Sequence, residues 1–174
     1  MKLAVRLGLV LVLSVLAVRA QSADPPLTIE VFQVLELPVA INNAVLSKTK
    51  GSYLLKCSLT NSSEFRQLGL RYSLAVIDAA DGSTRGVITR SEGFALAPYQ
   101  TNSVTFKTPI KLKLKGNERL VLMLEQITSA DYVWDVINSR DAFRAYTAGD
   151  YSLTPRVLRV SNQVDARPLL KIVY

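Results

Sequence analysis

The sequence contains no histidine, one cysteine, one tryptophan and no apolar stretch longer than Leu7–Val18. Each shortage removes a class of chemistry. Without an imidazole there is no base for a Ser-His-Asp or Cys-His nucleophile, and zinc sites built on histidine or clustered cysteine are absent. With Cys57 alone no internal disulfide forms, so packing must hold the core even in a compartment that permits bridges. The thiol lies in Tyr53, Leu55, Cys57, Leu59, an apolar set of period two, where a small buried hydrophobe is expected rather than a reactive group. No cofactor and no metal is expected from this residue inventory.

The chain opens with Lys2 and Arg6, continues through Leu7–Val18 and reaches Val18-Arg19-Ala20. Charged, apolar and cleavable segments in that order are the pattern of a secretory signal peptide, with cleavage expected after Ala20. The apolar stretch falls short of the roughly twenty residues that span a bilayer. Export to a periplasm or to the extracellular space is therefore expected, with no integral membrane segment after cleavage. Losing Lys2, Arg6 and Arg19 lowers the formal charge from +7 to +4, a mild basic excess. The one concentrated cationic run is Lys111-Leu112-Lys113-Leu114-Lys115. In a strand its lysines share one face and its leucines the other, so a solvated face over a packed one is expected and no specific nucleic-acid partner.

What remains alternates like strands. Ile29 to Leu35 suggests a first strand closed by Pro38, and Ser52–Thr60 and Leu68–Val76 follow with clean period two. Asp78-Ala79-Ala80-Asp81-Gly82 has the turn residues of a hairpin, Gly86–Thr89 returns, and Leu96–Tyr99 turns again before Val104 and Phe106. Arg119–Thr128 is apolar on both faces, which requires the middle of a sheet or a covering element. Tyr132–Ile137 and Arg156–Val160 supply two more strands, the second in a C-terminal extension from residue 153 to 174 expected to pack on the domain.

Seven or so short strands with turns near every tenth residue argue a mainly β fold, an antiparallel β-sandwich. The stretch "SYLLKCSLTNSSEFRQLGLRYSLAVIDAADGSTRGVITRSEGFALAPYQTNSVTFKTP" resembles the central strands of immunoglobulin-like and fibronectin-III-like modules of exported bacterial proteins. The resemblance implies an immunoglobulin-like sandwich over residues 21 to 152 and carries no functional residue. The Cys pair and intervening Trp of antibody domains are missing, so only the architecture is implied.

One stretch interrupts the alternation: "YVWDVINSRDAFRAY", Tyr132 to Tyr146. A strand would place Val133 and Asp135 on one face and Tyr132, Trp134 and Val136 on the other. A helix near 140–148 is expected next, with Asn138 and Asp141 spaced like a capping box and Gly149 where a helix end favours positive φ. Phe143 and Tyr146 then share a helix side and would close an open end or edge of the sandwich over Trp134. Aromatic rings in small domains commonly pack in this way. The competing expectation is a ligand patch of Tyr132, Trp134, Phe143 and Tyr146.

Other motifs have simpler readings. Ser47-Lys48-Thr49-Lys50 has the S-x-x-K spacing of penicillin-recognising enzymes but lacks their companion motifs, so a polar hairpin ending at Gly51 is expected. Asp78 and Asp81 fall short of the six to eight oxygens calcium takes. Asn61-Ser62-Ser63 is a glycosylation sequon or a plain turn according to host. Asp131, Asp135 and Asp141 are expected to form surface ion pairs with Arg140 and Arg144. Two functional classes follow. One is a non-catalytic interaction or structural module of the cell envelope or exterior, whose partner is a protein or envelope component met by strand addition. The other is a carbohydrate-binding module or enzyme using the aromatic platform around Trp134.

Overall fold

The computed structural model describes residues 26–161; residues 1–20, where a signal peptide is expected, and the end of the C-terminal extension lie outside the described residues. Ten strands and one helix run in the order β1 (Leu27–Thr28), β2 (Glu30–Phe32), β3 (Val39–Thr49), β4 (Ser52–Asn61), β5 (Gln67–Asp78), β6 (Thr84–Leu96), β7 (Thr101–Thr105), β8 (Glu118–Ser129), β9 (Tyr132–Ile137), α1 (Ser139–Thr147) and β10 (Arg156–Ser161). They form two sheets. The smaller has the order β1-β3-β4-β7 and the larger β10-β9-β8-β5-β6, with β2 also pairing against β8. All pairings are antiparallel except that of β2 with β8. The mainly β sandwich expected from the alternation is present, with one short helix. None of the described helices is long and apolar enough to cross a membrane.

Between the sheets the residues of period two meet. Leu55, Cys57 and Leu59 of β4 face Leu70, Tyr72, Leu74 and Val76 of β5, all buried in one apolar cluster. The Tyr72 and Phe106 rings stack across the gap with centroids 6.0 Å apart. Burial pushes the Cys57 thiol up to about 12. The folded protein should therefore resist thiol alkylation near neutral pH and react once denatured, as a labelling time course would reveal. Cys57→Ser should lower stability by about 1–3 kcal/mol, because it buries a hydroxyl in an apolar setting.

Tyr72 presents the opposite opportunity. Its side chain is fully buried, and its hydroxyl has no hydrogen-bond partner among the described residues. Burial, with the Glu92 charge behind it, pushes that hydroxyl well above the usual tyrosine range. Tyr72→Phe keeps the ring and removes the unsatisfied group. It should raise the unfolding free energy by about 1 kcal/mol, measurable by denaturant titration.

Local deviations from the expected strands have identifiable causes. β3 was not legible as a strand because a register shift between Ile41 and Asn43 breaks its period. Its inward residues are Val39 and Ile41 before the shift and Ala44 and Leu46 after it. Pro38 thus precedes a strand, and of the expected first strand, Ile29 to Leu35, only Glu30–Phe32 is one, as β2; β1 lies before it and joins the other sheet. Lys111–Lys115 lies outside the strands. Leu112 and Leu114 still pack against the core and the three lysines stay exposed. The run at Asp78–Gly82 is a turn, with Asp78 and Asp81 accepting from the Ala80 and Ser83 amides and Gly82 at φ 71.

Asn61 is 1% exposed. Its Nδ2 donates to the Phe65 and Ala97 carbonyls, so in the folded chain it pins a turn. Helix α1 starts from Asn138 in the left-handed region at φ 60 and receives no side-chain cap, so the capping box expected there does not form. Its end is as expected, with Gly149 at φ 84 and its amide donating to the Tyr146 carbonyl. The first run of the C-terminal extension is β10, which pairs along its whole length with β9 as an edge of the larger sheet.

Candidate functional site

The register of the larger sheet assigns its two faces. Leu70, Ile127 and Trp134 are aligned across β5, β8 and β9, and so are Arg71, Gln126 and Asp135. Since successive side chains alternate, the first row points into the sandwich and the second outward. Trp134 is 6% exposed, with its ring 5.9 Å from Phe65 and 5.8 Å from Tyr132 between centroids. The Arg159 guanidinium of β10 lies 4.9 Å over the half-buried Tyr132 ring, a cation–π contact.

Phe143 and Tyr146 are on the other side of that sheet. Helix α1 packs on the outer face, where Ala75, Val121 and Met123 are fully buried. This cover explains why β8 is apolar on both faces. Phe143 is 4% exposed beneath the helix. Tyr146 stacks on Phe32 of β2 at 4.2 Å, contacts Tyr151 edge-on, and donates its hydroxyl to Glu30. Burial, then that bond and the Glu30 charge, pushes the Tyr146 hydroxyl up to about 12. The four aromatics thus form two groups, Tyr132 with Trp134 and Phe143 with Tyr146. The helix covers a face of the sandwich, not an end or edge, and Trp134 is not beneath it.

Sequence reasoning missed the polar ground beside the helix. A register shift between Arg71 and Tyr72 places Glu125 as an extra residue of β8, and its side chain, 8% exposed, turns to the outer face. Glu125 accepts from Ser73 Oγ at 2.6 Å and from Arg71 Nε at 3.1 Å. Ser73 also bonds Thr89 of β6 at 2.7 Å, and Arg71 reaches Asp135 at 3.1 Å. Asp135 therefore pairs with Arg71, not with the helix arginines expected from sequence proximity. The polar pair that interrupts the apolar run Leu120–Ile127, Glu125-Gln126, was the available signal.

Over this network opens a cleft of about 420 Å³ between α1 and β6. Ser73 and Glu125 line it from the sheet, Val87 and Thr89 from β6, Arg140 and Arg144 from the helix. The two helix arginines are one turn apart and exposed, and neither forms an ion pair among the described residues. The arrangement offers hydroxyls, one neutralised carboxylate and two guanidiniums, a set that binds and orients polar groups. The chain matches no family model, no curated protein and no solved structure.

Proposed function

We propose that this chain is a non-catalytic, exported interaction module of the cell envelope or exterior, an immunoglobulin-like sandwich that takes its protein partner by strand addition at β6. The observation that carries this reading is the state of β6. It is thirteen residues long, ends the larger sheet, and among the described residues pairs on one side alone, with β5. Most of its residues are exposed. A long open edge presents a row of main-chain donors and acceptors, which proteins either blunt or use for a partner strand.

The connectivity supports the immunoglobulin-like assignment. β3 and β4 lie in one sheet and β5 and β6 in the other, β7 returns to the first, and β8 and β9 return to the second. That alternation matches strands A, B, C, C′, E, F and G of such sandwiches. The aromatic-platform alternative requires rings facing solvent, and the burial of Trp134 and Phe143 weighs against it. A proline scan along Thr84–Leu96 tests the reading with native envelope extract as the source of partner. Prolines at outward-facing amides should abolish capture and leave the melting temperature unchanged, while those at amides bonded to β5 should lower it. The expected pattern has period two. A wild-type chain that captures nothing, or variants that all capture equally, would overturn strand addition.

A further inference from the structure

We propose that the strand accepted by β6 is acidic, and that the cleft beneath α1 holds one of its carboxylates. This rests on strand addition at β6 and adds the chemistry of the partner. An added strand lies about 4.7–4.9 Å from its neighbour, with alternate side chains on each face of the sheet. On the outer face those side chains meet the mouth of the cleft at Val87 and Thr89, opposite Arg140 and Arg144. On the other side of β6 a second cavity of about 230 Å³ is lined by Arg85, Lys111 and Lys113. Both sides of the Thr84–Arg90 half of β6 are therefore cationic.

Of the nearby acids, Glu118, Glu125 and Asp81 are already engaged, while Asp141 of the helix stands exposed beside Arg140. Glu118 is held by Arg85 at 2.5 Å and by the Lys115 and Gly116 amides, and Glu125 by Arg71 and Ser73. Asp81 accepts from the Ser83 amide in the preceding turn. On β6 itself the one acid is Glu92, beyond Arg90. Arg140, Arg144, Lys111 and Lys113, by contrast, form no ion pair among the described residues.

This charge pattern selects between occupants. A second copy would bring to this edge one acid, Glu92, together with Arg85 and Arg90, and so matches the unpaired Lys111, Lys113, Arg140 and Arg144 less well than a strand carrying several carboxylates. The same cations repel basic strands and attract an acidic one, so they guard the edge and specify its partner together.

The test is selection of peptides long enough to span Thr84–Arg90 from an unbiased displayed library, using the full chain as target. Enriched sequences should carry Asp or Glu at alternate positions. Their synthetic forms should slow amide exchange along Thr84–Arg90, bind more weakly as salt rises, and lose about tenfold or more in affinity to an R140A/R144A double variant. Neutral or basic peptides that still protect β6 would overturn the acidic specificity and leave strand addition standing. Acidic peptides that bind without protecting β6 would overturn strand addition, and this proposal with it. A library that yields no binder would leave the cations as a guard alone and overturn both.

Discussion

Replacing Trp134 with alanine will lower the unfolding free energy by about 3–5 kcal/mol, the range for a large ring removed from a packed interior. The indole is 6% exposed, on the inward face of β9 between Phe65 and Tyr132. Its strand pairs with β8 on one side and β10 on the other, so the vacated space cannot close by a simple shift of an edge. A ring standing in solvent to meet a ligand would instead change stability by no more than about 0.5 kcal/mol. Denaturant unfolding of W134A decides between them. Emission of the native protein gives an independent measure, because Trp134 is the sole indole: a blue-shifted spectrum resistant to iodide is expected, and a red-shifted, readily quenched one would contradict the burial.

What the sequence disclosed and what it concealed follow from one physical difference. β4 and β9 keep one residue in and one out over most of their length, and β5 alternates apolar residues inward, so their faces were legible from period two alone. Val133 and Asp135 do separate from Trp134 and Val136 as the alternation requires. β3 was concealed by its bulge. In β8 the extra residue Glu125 belongs to a polar pair visible within an apolar run, yet no local pattern indicates which residues it will meet. Its partners Arg71 and Ser73 are more than fifty positions away.

The helix illustrates a related limit. Its existence and its Gly149 terminus were legible from Ser139–Thr147, because helix formers and a positive-φ glycine are local signals. Its resting place was not. Phe143 and Tyr146 needed apolar cover, yet sequence cannot distinguish the open end of a sandwich from its outer face. Doubly apolar β8 held the missing information, since a strand buried on both sides demands a cover and α1 is the element that supplies it. A doubly apolar strand and an amphipathic helix in one chain together imply that the helix covers the larger sheet.

Removing the Arg71 side chain will have the second-largest effect, a loss of about 2–4 kcal/mol, because it leaves the buried Glu125 carboxylate without its counter-ion. The figure is below that for a fully enclosed pair, since the Arg71 side chain is 36% exposed and water screens part of its charge. Ser73 remains to donate to Glu125 Oε1, which further limits the damage. If the cost arises from a stranded charge and not from lost packing, it must depend on Glu125 being charged. E125Q in the R71A background should therefore recover much of the stability, whereas E125Q alone should be destabilising because Arg71 then loses a partner. A double-mutant cycle on these two positions should give a coupling energy of about 1–3 kcal/mol. Additive losses would mean that Arg71 acts through its aliphatic stem, and the outer face would be held by α1 and its apolar contacts instead of by this polar network.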